Sequence, residues 1–206
     1  MTFHKILIVV AVFFGLSAGA YAKNEKQNSS QSLTKEQRAF VDKLGRVKGN
    51  IKAKEIKEGF VFESGKGKVT MLILWTKDCK SCVADIPKLN RILLDFKGKV
   101  NIIAIELSGM SSKELQKYVR EKKVLYTMIS GVENKKFTSK IMDKFGFKKS
   151  LPFQIVLGYT GHNNGIIKGI SKLKDMEKYL AKIIEHYEGG SAAKHIIKQD
   201  DKKGKK

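Results

Sequence analysis

The sequence predicts an α/β domain built around a central mixed sheet. Three observations carry this expectation. "VNIIAIEL" (Val100–Leu107) is an almost continuous apolar run, as a strand buried on both faces requires. At Cys79 the apolar spacing changes. The strand-like "KVTMLILW" (Lys68–Trp75) gives way to Cys82, Ile86, Leu89, Leu93 and Phe96 on one helical face. Strand and helix patterns then alternate to residue 188, which is the order of a layered α/β unit.

The elements follow in order. Residues 1–22 carry a basic start at Lys5, an apolar run from Ile6 to Leu16, and the small-x-small sequence Ala20-Tyr21-Ala22. The run is shorter than the roughly 20 residues of a spanning helix. A signal peptide cleaved after Ala22 is expected, with an uncleaved anchor as the alternative, and the chain is expected on the exported side of the membrane, in the periplasm. Residues 23–58 read as a polar tether followed by a short amphipathic helix. Thr34 caps that helix, and Ala39, Phe40, Leu44 and Val47 turn inward.

Residues 59–188 form the expected domain. "GFVFES" (Gly59–Ser64) and Lys68–Trp75 are strands around a "GKGK" turn. That turn is no phosphate loop, because Val69 stands where a Ser or Thr is needed. One helix is expected from Cys79 to about Lys97. Ser111 and Glu114 form a capping-box pattern ahead of Leu115, Tyr118 and Val119. "VLYTMIS" (Val124–Ser130) is a short strand, and "NKKFTSKIMDKFGF" a helix ending near Gly146. "FQIVLGY" and "GIIKGI" flank "TGHNN" as a hairpin. Ser171 caps a final helix with Leu173, Met176, Leu180, Ile183 and Tyr187 inward. Residues 189–206 are a basic flexible tail.

The chain of 206 residues has a formal charge of +21. Its lysines are spread along the whole sequence and interleave with aromatics in no single cluster, so nucleic acid is not an expected partner. A solvated basic surface accounts for the charge, and contact with an anionic membrane surface is compatible with it.

Cys79 and Cys82 are the only cysteines. A structural zinc site wants four ligands, and His4, His162, His186 and His195 lie far off without ligand spacing. Covalent haem needs a His directly after the second Cys, where Val83 stands. Thiol–disulfide exchange suits the pair best. It sits at a strand-to-helix junction, where free N–H groups stabilise a thiolate. Lys77 and Lys80 add positive charge. Asp78 opposes them and is placed to cap the helix. A passive disulfide is the bland alternative, but so small a loop restrains the unfolded chain little.

"WTKDCKSCVADIP" (Trp75–Pro87) resembles the active-site segment of thioredoxin-like proteins. Trp75 stands four residues before Cys79, and Pro87 five after Cys82, as in that family. "SLPFQIV" (Ser150–Val156) resembles its cis-proline loop, and Gly169 matches a glycine of its last strand. Within the family, the chain is most similar to the exported TlpA/ResA type, which includes cytochrome c maturation thioredoxins. It departs by Asp85 where a Glu is usual, and by Lys-Ser between the cysteines.

The resemblance implies a sheet ordered Gly59–Ser64, Val100–Leu107, Val69–Trp75, Phe153–Gly158, Gly165–Ile170, with helices on both faces. Cys79, nearest the helix end, is the expected attacking thiolate, and Cys82 resolves the mixed disulfide. Asp85, one helical turn from Cys82, either relays its proton or is a first-turn acid that suits the helix dipole. Trp75 would cover the pair, and Leu151 and a cis Pro152 would receive a substrate strand. No cofactor or metal is implied beyond the redox-active pair itself. The implied activity is that of a reductant of disulfides in exported cysteine-containing proteins such as apocytochrome c, recharged by a membrane thiol carrier. A disulfide oxidase or isomerase, or a non-catalytic peptide-binding chaperone, are the alternatives. The first test is the leader: protein recovered from an exporting host should begin at Lys23 by intact mass, and retention of residues 1–22 would show an anchor instead.

Overall fold

The computed structural model describes residues 46–49, 51–169 and 172–189. In chain order its elements are β1 (Ala53–Ile56), β2 (Gly59–Phe62), β3 (Val69–Trp75), α1 (Lys80–Ala84), α2 (Ile86–Asp95), β4 (Val100–Glu106), α3 (Ser112–Glu121), β5 (Thr127–Ser130), α4 (Lys135–Lys144), β6 (Phe153–Leu157), β7 (Asn163–Lys168) and α5 (Leu173–Gly189). The expected signal peptide, tether, basic tail and Ser171 cap lie outside the described residues, as does the Thr34 helix up to Gly45.

β3 is the axis of the sheet and is buried along its whole length. Val69, Met71, Ile73 and Trp75 point to one face, and Leu72 and Leu74 to the other, as the two-residue strand period dictates. β4 runs parallel beside it, from Val69 opposite Val100 to Trp75 opposite Glu106. β6 pairs antiparallel on the other side, and β7 follows it in a hairpin. The five-stranded sheet has the order β5-β4-β3-β6-β7, the mixed α/β architecture that the sequence predicts. One face is covered by α1, α2, α3 and α5 through residues such as Ile92, Leu115 and Leu180. The other is covered by Ile141 of α4, Phe145 and the phenylalanines of β2.

The edge strand is a correction. The implied order put Gly59–Ser64 beside Val100–Leu107, but β5 holds that place, and β2 pairs with β1 in a separate two-stranded hairpin. Side-chain direction explains the difference. In β5, Met128 and Ile129 are both fully buried, one in each core layer, as a strand between two layers requires. In β2, Phe60 and Phe62 point the same way and meet the Phe137 ring edge-on at 5.7 and 5.9 Å. β2 therefore lies across the sheet face as a lid, and paired backbone begins upstream of Gly59.

Val47 is a second correction. It is extended and not in a helical turn: it bridges Met128 in parallel. The Lys48 N–H donates to the Met128 carbonyl at 3.2 Å, and the Met128 N–H to that of Arg46 at 3.3 Å. Met128 offers unpaired backbone on its outer side, and Arg46–Lys48 satisfies it.

The single helix expected from Cys79 to Lys97 is two helices that meet at Asp85. Pro87 has no N–H to give the Val83 carbonyl, so an unbroken helix would lose a bond there. In the first turn of α2 the missing donor is harmless. The Ser111–Glu114 capping box forms as expected. Its Ser111 hydrogen bonds hold the Glu114 carboxyl below the usual carboxylate range, with a smaller pull from Lys77. α4 ends in a Schellman turn at Gly146, whose φ is +62°. There the Phe147 N–H reaches the Met142 carbonyl at 2.9 Å. Among the described residues, no helix is long and apolar enough to cross a membrane.

Gly131 joins β5 to the loop at the functional end of the sheet. Its N–H donates to the Glu106 carbonyl at 2.9 Å, and a Cβ there would stand 2.3 Å from the same oxygen. Gly131→Ala should therefore cost about 1–3 kcal/mol of stability in chemical denaturation. An unchanged midpoint would show that the junction yields.

Candidate active site

β3 ends at Trp75, and the chain turns through Thr76–Asp78, with the Cys79 N–H bonded to the Thr76 carbonyl at 3.2 Å. Cys79 is the N-cap of α1: its sulfur accepts from the Cys82 N–H at 3.2 Å. Asp78 does not cap the helix. The reason is local, since Cys79 itself holds the position from which a side-chain atom reaches the third helical N–H. The two cysteines form a disulfide. Cys79 is partly exposed, and Cys82 is buried at 5%. The Ser81 hydroxyl lies 3.2 Å from the Cys79 sulfur.

The geometry distributes the other candidates unequally. Lys77 and Lys80 are exposed on the outer side of the turn, where solvent screens their charge. Trp75 is 3% exposed, packs against Tyr118 with tilted rings whose centroids are 5.2 Å apart, and shares its core layer with Cys82. Asp85 stands at the junction where α1 ends and α2 starts, makes no side-chain capping bond there, and is 2% exposed. Its Oδ1 pairs with Lys88 Nζ at 2.7 Å. A buried carboxylate is costly without such a partner. Its Oδ2 is buried without a protein partner.

The Leu151–Pro152 peptide is cis. Pro152 lines one small cavity together with Cys82, Asp85 and Trp75, so residues from β3, α1, the α1–α2 junction and the β6 approach do converge. Leu151 precedes the ladders of β6. It borders an open groove of about 490 Å³ that also takes in Thr76, Leu107, Val132, Met142 and Phe147. Val132 is an exposed large apolar side chain. Lys135, Lys149 and Asp143 place charge at the groove's border.

Two buried polar residues were not marked by the sequence pattern. Glu106 ends β4 and is fully buried. Its carboxylate accepts from the N–H groups of Ser108, Gly109 and Met110 at 2.7, 3.1 and 2.9 Å, and from the Ser108 hydroxyl. This clamps the loop that carries Leu107 to the groove. Burial pushes the Tyr118 phenol up, and the Glu106 charge adds to the shift. Gln154 of β6 is fully buried, and neither end of its amide has a protein partner. The available signal was each residue's position in a strand otherwise apolar at that level.

No protein-family model and no curated protein sequence matches the chain. Solved structures do. A Chlorobium tepidum protein named thiol:disulfide interchange protein DsbE is similar, with a TM-score of 0.52 and 19% identity over 66% of this chain and 95% of that one. A Neisseria meningitidis structure named as a thioredoxin has a TM-score of 0.53 and 16% identity, over 70% and 95%. The exposed lipoprotein thioredoxin Etrx1 of Streptococcus pneumoniae has a TM-score of 0.50 and 16% identity, over 65% and 99%. The likeness shows that the chain has a thioredoxin-like fold.

The unequal exposure of the cysteines has a direct test. After reduction, an alkylating reagent at neutral pH should label Cys79 well before Cys82, because only Cys79 combines solvent access with a helix N–H at its sulfur. Equal labelling, or Cys82 first, would reverse the two positions.

Proposed function

We propose that the protein is an exported thiol–disulfide oxidoreductase acting through a Cys79 mixed disulfide. The observation that carries this is the pairing of a partly exposed sulfur at a helix N-terminus with a buried one beside a carboxylate and a cis-proline. Reduced Cys79 attacks a substrate disulfide: a bond forms between its Sγ and one substrate sulfur, and the other substrate sulfur leaves as a thiolate and takes up a proton. Cys82 then loses its proton and attacks Cys79. The Cys79–Cys82 disulfide is restored, and the first substrate sulfur leaves as a thiol. The substrate is oxidised cysteine pairs, and the protein supplies the two electrons.

In this reading Leu151 and Pro152 receive an extended substrate segment, because the Leu151 backbone stands outside the sheet ladders and the adjoining Pro152 lines one cavity with Cys82. The groove from Thr76 and Leu151 to Val132 then takes an apolar side chain of the same segment. Asp85 accepts the Cys82 proton, as a carboxylate one helical turn away from it. Lys77 and Lys80 favour the thiolate only weakly, since both are exposed. The direction proposed is reduction, on exported proteins such as apocytochrome c, with a membrane thiol carrier as donor and a location on the periplasmic side. It is favoured by the TlpA/ResA-like sequence features and by the Asp85 charge, which opposes extra stabilisation of thiolates nearby.

Insulin reduction with dithiothreitol tests the activity, and Cys79→Ser should abolish it. Cys82→Ser should trap mixed disulfides with exported proteins where Cys79→Ser traps few. Equilibration with a thiol redox buffer, followed by Trp75 fluorescence, tests the direction. A potential nearer the roughly −270 mV of thioredoxin than the roughly −120 mV of a strong oxidase is expected. A value near the latter would make the protein an oxidase or isomerase. Peptide binding without any exchange would make it a chaperone.

A further inference from the structure

Behind Cys82 lies a small, partly enclosed cavity of about 10 Å³ whose wall includes Trp75, Asp85, Tyr126, Pro152 and Gln154. That is room for about one water molecule. Four buried polar atoms of its wall residues have no partner in the protein: Trp75 Nε1, Asp85 Oδ2, and the Nε2 and Oε1 of Gln154. Buried polar atoms without partners are rare, because each costs about 1–3 kcal/mol. Four such atoms on three residues that line one water-sized space, beside Cys82, call for an explanation.

The donor and acceptor inventory supplies one. Trp75 Nε1 can only donate, and Asp85 Oδ2 as a carboxylate oxygen can only accept. Gln154 brings both kinds of atom. One water in the cavity can accept from the indole or the amide N–H and donate to the carboxylate. The remaining amide atoms then fix its orientation. An apolar side chain at position 154 would satisfy β6 equally well, since the rest of that strand is apolar and buried. The amide is therefore not explained by packing.

We propose that Gln154 is a positioning residue for proton exchange at Cys82: through one bound water it holds the free Asp85 oxygen ready to take the Cys82 proton. This rests on the exchange reading above and adds a residue to it. The step concerned is the second one. The Cys82 Sγ–H proton passes to Asp85, the sulfur's freed electron pair forms the Cys79–Cys82 bond, and the substrate sulfur leaves with the electrons of the broken bond and is protonated. Asp85 is faced by Lys88 from α2, by Cys82 from α1, and by the Tyr126 phenol from the segment before β5. Burial, with smaller contributions from Tyr118 and Asp85, pushes that phenol far up, so it stays protonated and does not compete for the proton. Among the described residues that line the cavity, Gln154 on β6 and Trp75 on β3 bring N–H donors without a protein partner that can orient the second oxygen.

The test uses the full chain with Gln154→Met, which keeps the length and apolar bulk of the side chain and removes the amide. Rapid mixing of the Cys79 mixed disulfide of a small aromatic thiol reads the resolving step as thiol release, across pH 5 to 9. Alkylation of Cys79 reads the first step. The expected result is that the pH midpoint of resolution rises by about one unit, roughly a tenfold slower step below it, while Cys79 alkylation and the thermal midpoint stay as in the wild type. Asp85→Asn should slow resolution roughly 100-fold or more, and adding Gln154→Met to it should change nothing further. An unmoved resolution profile in Gln154→Met overturns the proposal, as does an equal slowing of both steps. If Gln154→Met does not fold, Gln154→Asn, which withdraws the amide by one methylene, is read by the same two outcomes. If the wild type catalyses no exchange at all, the exchange reading falls. If it exchanges normally and Gln154→Met resolves normally, only this inference falls.

Discussion

Pro87 is the constraint on which the site turns. It cannot supply the N–H that the Val83 carbonyl would accept in a continuous helix. The helix that starts at the redox turn therefore stops after Ala84, and a new one starts at Ile86. The residue between them, Asp85, is left at a junction and not on a helix surface. Its side chain turns inward, where it is 2% exposed beside Cys82. A proline thus places a carboxylate in the core without a strand or loop being spent to carry it there. Lys88, one turn into the second helix, closes the arrangement with an ion pair at 2.7 Å. The cost of burying the charge is then offset on one oxygen only, and the other has no protein partner.

The same end of the molecule is held by a second buried carboxylate with a different job. Glu106 has both oxygens occupied by backbone N–H groups and the Ser108 hydroxyl. It is a fastener: it fixes the loop after β4, and with it the wall of the groove. Neighbouring strands β3 and β4 end at Trp75 and Glu106 in register, so the reactive turn and the fixed loop leave the sheet at the same level. One buried carboxylate has every acceptor filled, and the other keeps an oxygen without a protein partner.

Much of this was legible in the sequence, for identifiable reasons. The central strands are long and apolar, the capping box is a local code, and the cysteines and both prolines stand at diagnostic offsets. What sequence reasoning placed wrongly were short elements whose position depends on partners far along the chain. Gly59–Ser64 and Val124–Ser130 have similar lengths and composition, and which joins the sheet is decided by whether successive side chains find two core layers or one. Val47 fits a helical period by spacing alone, yet it is claimed by the open edge at Met128. Asp78 carries the usual capping side chain, but Cys79 occupies the capping position. Gln154 stayed unnoticed because one polar residue in an apolar strand carries no spacing signal. Its meaning arises only when β6 is laid beside β3 and the α1–α2 junction.

The smallness of the loop closed by Cys79 and Cys82 has a thermodynamic consequence. Folding and oxidation form a cycle, so any stability the disulfide adds to the fold appears as an equal preference of the folded chain for the oxidised state. A cross-link three residues apart in sequence removes only about 2 kcal/mol of unfolded-chain entropy, well below what a long loop would give. The coupling between oxidation and folding is accordingly weaker than a long-loop disulfide would impose, at about 2 kcal/mol. What the chain's folding adds to the free energy of the sulfur–sulfur bond is limited to that amount, and the local surroundings of the two sulfur atoms set the rest.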